Sequence, residues 1–246
     1  MDSGFYAATA GVIARTQTLD QAANNLANVS TNGYRGQQTV FSTLLTTASN
    51  ARVNRYTAAI NDYGVVGGSR TDMRAGNIEK TDNPLDIALQ GPGFLAVQTP
   101  SGQRQYTRNG ALRIALNNQL VTDDGDLVLG VNNRPITAPA GDLVIGTDGS
   151  ISVNGAIAGQ LKIVEFANDV DLQHAGGSNY TAPANTERAA TTTVVRQGSL
   201  ESSNVNAVSA AVNLIALQRN AEMLTRAMSA FHNDINRMAV EDLPKV

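Results

Sequence analysis

From Asn204 to Met238 the apolar residues recur at alternating spacings of three and four: Ala207, Ala210, Leu214, Leu217, Ala221, Leu224, Met228, Phe231, Ile235 and Met238. That period predicts a helix whose apolar side is a narrow heptad stripe rather than the broad face of a core helix. A second stripe at the other end of the chain, Phe5, Ala8, Val12, Leu19, Ala22, Leu26 and Val29, keeps the same spacing with one interruption at Arg15. Narrow stripes want partner helices more than a sheet. The stripes are rich in Ala, which buries little area at about 25 cal/mol per Å². Many helices side by side are therefore expected, the alternative being an ordinary core made by the chain's own two ends.

Amides flank both stripes. Asn24, Asn28 and Asn32 recur every four residues with Asn25 beside them, and Asn206, Asn213 and Asn220 recur every seven. Asn is a poor interior helix residue, so its recurrence points to hydrogen bonding across to a neighbour that fixes register. The first helix is expected from Ser3 to about residue 30, leaving through Ser30-Thr31-Asn32-Gly33, with Gly33 in the left-handed closing conformation.

Between the stripes the pattern changes. Residues 34 to about 74 are rich in Thr, Ser, Asn and Gly with no sustained period, and read as a short continuation followed by an extended linker through Gly64-Val65-Val66-Gly67-Gly68. From Gly76 to about Arg196, short β-type runs such as Phe94-Leu95-Ala96-Val97 and Leu143-Val144-Ile145 alternate with turn residues every 8 to 12 positions. Asn117-Asn118, Asp124-Gly125, Asp148-Gly149 and Asn154-Gly155 supply the positive φ of tight hairpins, so this region is expected to be a compact antiparallel β domain. Residues 171 to 192, with Gly176-Gly177-Ser178-Asn179, are expected to be an exposed loop.

Composition narrows the function. The chain has 246 residues, a net charge of −3, no Cys, no Trp and two His, with 15 Arg scattered against three Lys. Scattered Arg without a run argues against a nucleic-acid partner, and the absence of Cys and paired His against a metal site. The N-terminus has neither a basic region nor an unbroken apolar run, so no cleavable signal peptide is expected, and no window is apolar enough to cross a bilayer. Asp123-Asp124-Gly125-Asp126 lacks the spaced ligands of a calcium loop and reads as a hairpin turn. His174, near Asp169 and Asp171, has no activated Ser or Cys motif beside it, and His232 lies beside the terminal stripe. No catalytic residue, cofactor, metal or small-molecule substrate is expected.

Asn24-Asn25-Leu26-Ala27-Asn28-Val29-Ser30-Thr31-Asn32-Gly33-Tyr34-Arg35 resembles the N-terminal signature of the bacterial flagellar rod and hook family. Two further stretches share the resemblance. One is Pro84-Leu85-Asp86-Ile87-Ala88-Leu89 through Gly93-Phe94 to Tyr106-Thr107-Arg108-Asn109-Gly110. The other is Gly198-Ser199-Leu200-Glu201-Ser202-Ser203-Asn204-Val205-Asn206. Tyr6, Gly11 and the modest β domain are more similar to proximal-rod than to distal-rod members.

The resemblance implies an α+β fold, in which long N- and C-terminal heptad helices pack as a coiled-coil-like tubular layer around a shaft and a central antiparallel all-β domain lies outside it. The implied organisation is 1–45 for the N-terminal helix and signature, 46–75 for the linker, 76–196 for the β domain and 197–246 for the C-terminal helix. It implies a structural, non-enzymatic rod subunit in the periplasm, exported by the flagellar type III apparatus, whose partners are copies of itself and other rod proteins. The residues expected at subunit interfaces are Phe5, Val12, Leu19, Asn24, Asn25, Leu26, Asn28, Val29, Asn206, Asn213, Leu214, Leu217, Leu224, Met228, Phe231, Ile235 and Met238. The competing class is an oligomeric β-domain module that binds cell-wall glycan, for which the aromatic supply is thin.

Overall fold

The computed structural model describes residues 2–42, 65–167, 170 and 172–241. Residues 46–64 of the expected linker therefore lie outside the described residues, as do the side chains of Phe5, Phe231, Ile235 and Met238. Two helices are described, α1 (Asp2–Ala27) and α2 (Ala207–Glu241), and the described elements between them are strands. The chain divides into two compact units, Met1–Leu26, Gln37–Ser69 and Ala207–Val246 in one, Ala27–Gly36 and Arg70–Asn206 in the other.

This corrects the expected fold class. Among the described residues most of the elements are β-strands and two are helices, and no pair of long heptad helices forming a coiled coil is found. None of the described side chains of α2 is buried. The physical reason is the composition of the stripe, since Ala at three of its first five positions gives too little apolar area to close a helix pair within one molecule.

In the helical unit, α1 ends at Ala27, where the Thr31 N–H turns back to the Asn28 carbonyl at 3.1 Å. Strands Gln37–Ser42 and Val65–Thr71 pair with each other, so the glycine-rich stretch expected in the linker is strand from Val65 onward.

In the β unit, every strand pair with a determined register is antiparallel. Its largest sheet runs Gln173–Gly176, Asn179–Thr181, Arg104–Thr107, Phe94–Gln98, Leu127–Val128, Leu120–Thr122, Leu112–Ile114, with Ile163–Glu165 also on Phe94–Gln98. A separate three-stranded sheet comprises Leu143–Ile145, Ser150–Val153 and Ala156–Gln160.

Phe94-Leu95-Ala96-Val97 is apolar without alternation because both of its faces are covered. Leu95 joins a cluster with Leu120, Val128, Ile145 and Ile151, whereas Phe94 and Ala96 join one with Tyr106, Val164, Leu172 and Tyr180. The turns follow their residue types. Asn154 and Gly155 take φ of 51° and 82° between two strands of the small sheet, and Gly125 takes 89° in the turn expected from the acidic cluster.

Of the loop expected over 171–192, the described residues from 172 onward are not simply an exposed loop. Gly176 and Gly177 turn a hairpin between Gln173–Gly176 and Asn179–Thr181, and Tyr180 and Leu172 are buried. The glycines that signalled a loop are the turn of a hairpin whose apolar side chains were too few to register as a strand pattern.

Candidate assembly surfaces and a buried junction

The helical unit carries the stripes. Along α2 the stripe residues Ala210, Leu214, Leu217, Ala221, Leu224 and Met228 are half-buried, and Asn213 and Asn220 beside them are exposed, as is Asn206 just before the helix. A second set of large apolar side chains lies away from that stripe. Val208, Val212, Ile215 and Met223 are exposed, with Val212 and Met223 at 62% and Val208 at 74%. They follow one another at spacings of four, three and eight, so α2 is apolar on more than one face. Heptad counting missed this second face because it was not on the chosen phase.

On α1, Val12, Leu19, Leu26 and, just beyond it, Val29 are half-buried, and Ala22 is the only buried stripe residue among the described side chains. Asn25 is engaged within the chain: its amide donates to the Gln37 carbonyl at 2.8 Å and accepts from the Gln37 N–H at 2.9 Å. Asn28 accepts from the Thr31 hydroxyl at 3.1 Å. Asn24 is exposed and lines a polar cleft of about 440 Å³ with Gln17, Asp20, Gln21, Gln37, Thr39 and Ser69. The structure thus gives Asn25 an intrachain use, and Asn24 and Asn213 are exposed.

The β unit contains what the sequence reading assigned no role. Glu201, 2% exposed, lies between two guanidiniums: Arg35 at 2.6 Å from Oε1 and Arg108 at 3.0 Å from Oε2. The Gly76 N–H donates to the same Oε1 at 2.8 Å, and the Gly33 N–H to the Glu201 carbonyl at 2.7 Å. Arg108 also donates to the Leu89 carbonyl at 3.2 Å and to the Gly91 carbonyl, and its guanidinium lies 5.0 Å from the centre of the Phe94 ring.

Arg35 donates to the Arg74 carbonyl, and its backbone N–H donates to the Tyr180 hydroxyl at 2.9 Å. Burial pulls the Arg35 guanidinium below its ordinary pKa; the Glu201 carboxylate opposes that shift and Arg108 adds to it.

Asn204 completes the junction. Its side-chain oxygen accepts from the Gly36 N–H at 2.8 Å, and its amide nitrogen donates to the Asp72 and Arg74 carbonyls, both at 2.9 Å. The packing admits no side chain at two glycines. A Cβ on Gly33, whose φ is +70°, would lie 2.3 Å from the Arg108 carbonyl carbon, and one on Gly76 would lie 1.9 Å from the Ser202 oxygen. His174 lies against Tyr34 and Tyr180, with ring centres 5.3 and 5.1 Å away. It belongs to this aromatic packing and to no cluster of metal ligands among the described residues.

Arg35, Arg108 and Glu201 sit one each in the three stretches that carry the family resemblance, so the signal that could have found them was a buried charge inside each signature. Comparison with known proteins bears on the same stretches. The family model described as flagellar hook protein FlgE/F/G D1 domain matches residues 88–153, and that described as flagellar basal body rod FlgEFG protein C-terminal matches residues 196–239. The flagellar basal-body rod protein FlgF of Escherichia coli (strain K12) is 34% identical over 256 residues, covering 96% of this chain and 97% of its own length.

This chain belongs to the flagellar basal-body rod protein family. FlgG of Buchnera aphidicola subsp. Acyrthosiphon pisum (strain APS) is 32% identical over 252 residues, covering 93% of this chain and 95% of its own. FlgF of Salmonella typhimurium is 34% identical over 255 residues. Similarity to rod proteins of both names places the chain in the rod family without separating the two types. No helix among the described residues is long and apolar enough to cross a membrane.

Proposed function

We propose that this protein is a structural subunit of the flagellar basal-body rod, assembling with copies of itself and with other rod proteins through surfaces on its two helices. The observation that carries the reading is the end-to-end similarity to proteins named flagellar basal-body rod protein, on chains matched over nine-tenths or more of their length. The surface of α2 supports it. A helix with one half-buried apolar stripe and a second exposed set at Val208, Val212, Ile215 and Met223 offers apolar surface on two faces for other molecules to cover. Nonidentical surfaces meeting head to tail build open helical assemblies, which is the geometry a shaft needs.

In this reading the interface residues are the stripe positions Phe5, Val12, Leu19, Leu26, Val29, Leu214, Leu217, Leu224, Met228, Phe231, Ile235 and Met238, with Asn24, Asn25, Asn28, Asn206 and Asn213 at their margins. The shaft crosses the periplasm and transmits torque, and the flagellar type III apparatus exports the subunit. The proximal segment of the rod is the position suggested by Tyr6, Gly11 and the modest β domain, with the distal segment as the alternative.

Leu217→Asp tests the interface. An unpaired carboxylate in an apolar contact is costly, so the variant is expected to leave the β unit's melting unchanged and to abolish polymerisation measured by light scattering and electron microscopy. Polymerisation at the unmodified rate would remove α2 from the interface. A reconstruction of isolated basal bodies carrying a labelled copy gives the position along the shaft, and density for the label in the distal segment would overturn the proximal assignment.

A further inference from the structure

We propose that the Arg35–Glu201–Arg108 triad is a registry clasp, holding at one fixed point the two segments through which the chain passes from its β unit into α1 and α2, and that Glu201 is a positioning residue for assembly. The inference rests on the rod reading above and adds to it the residues that fix the register of the two segments leading to the helices.

Three observations carry it. First, the members come from far apart in the chain, Arg108 lying 93 positions from Glu201, and each belongs to a different one of the three signature stretches. Arg35 follows the end of α1 at Ala27 by eight residues, and Glu201 precedes the start of α2 at Ala207 by six. The segments that lead to the two helices are therefore tied to one carboxylate.

Second, the charges do not balance. Two guanidiniums meet one carboxylate, and the Nε atoms of both Arg35 and Arg108 are buried without a hydrogen-bond partner. Apolar residues of similar volume often replace buried ion groups with no loss of stability, so stability alone does not account for an incompletely satisfied triad. What such a group supplies is discrimination between one register and its neighbours.

Third, the local geometry converts register into charge. Ser199–Glu201 pairs with Ile78–Lys80, with Glu201 opposite Ile78. A slip of one residue in that pairing turns every side chain to the other face, which would set Leu200 or Ser202 against the guanidiniums and expel Glu201. The close approaches of Gly33 to Arg108 and of Gly76 to Ser202, and the triple use of the Asn204 amide, hold the same segments in that one register.

Two measurements test the clasp. In hydrogen exchange of the soluble full-length chain, the Gly33 and Gly36 amides, tied to Glu201 and Asn204, are expected to exchange within threefold of the Gly76 amide, because one clasp opens as one unit. Exchange of Gly33 and Gly36 more than tenfold faster than Gly76 would overturn the proposal whatever any variant does. In the second, the apolar triple variant Arg35→Met, Arg108→Met, Glu201→Leu is expected to lower the polymerisation rate at least tenfold while its melting stays near that of the unmodified chain.

Polymerisation of the folded triple variant at the unmodified rate would make the triad a packing element and nothing more. If the triple variant does not fold, the exchange ratio alone decides. Failure here is separable from failure of the rod reading, since the interface variant Leu217→Asp leaves these three residues untouched.

Discussion

Strand Phe94–Gln98 and helix α2 are both rich in apolar side chains, yet they meet opposite fates. Phe94, Leu95, Ala96 and Val97 are each at most 1% exposed, covered on both faces by their own chain, whereas α2 keeps every described side chain half-buried or exposed. The strand sits in a unit that completes its core by itself. The helix carries apolar surface that this one molecule leaves uncovered. Under the proposed rod function the contrast separates what holds the subunit together from what holds subunits to each other.

The difference can be broken most severely at the junction. Glu201→Gln leaves two buried guanidiniums without their carboxylate, a loss expected to be about 3–5 kcal/mol and a fall in melting temperature on the order of 10 °C by calorimetry. Leu95→Ala, at 0% exposure, is expected to lower β-unit stability by about 2–5 kcal/mol in denaturant titration. Met223→Ala on α2, by contrast, should fall within about 0.5 kcal/mol in the same titration. Equal effects at these two positions would abolish the distinction drawn between the regions.

Gly33→Ala should cost more than about 1 kcal/mol, because φ of +70° disfavours a side chain and the added carbon meets the Arg108 backbone. A change in midpoint of unfolding measures it. The smallest effect is one of pH. Burial holds the His174 imidazole below its ordinary value of 6.5. The unfolded chain therefore binds a proton that the folded chain resists, and stability falls as the pH drops below about 6.5 towards the folded pKa. His174→Phe should flatten that part of the stability profile, and an unchanged slope would exclude His174 as its source.

Much of the β unit was legible because its signals are local. Asn154-Gly155 and Asp124-Gly125 announce their turns through the φ that neighbouring atoms impose, and the unbroken apolar run at Phe94 reports burial on both faces. The hairpin at Gly176-Gly177 was not legible, since its buried Tyr180 and Leu172 are isolated among polar residues. The coiled-coil expectation failed for a related reason. A period of three and four states which side of a helix is apolar and says nothing of whether a partner within the chain covers it, or whether a second apolar side exists.

What the amino-acid order alone determined was the helix-forming stripes at the two ends, the turn chemistry of the β region and the family to which the three signature stretches pointed, all properties carried by residues a few positions apart. Only the tertiary structure decided that Arg35, Arg108 and Glu201 meet, that Asn25 serves its own chain through Gln37, and that α2 keeps an exposed apolar face at Val208, Val212, Ile215 and Met223. Those outcomes depend on pairing between segments far apart in the chain, and nothing in a local pattern encodes which distant charge will arrive to neutralise a buried one.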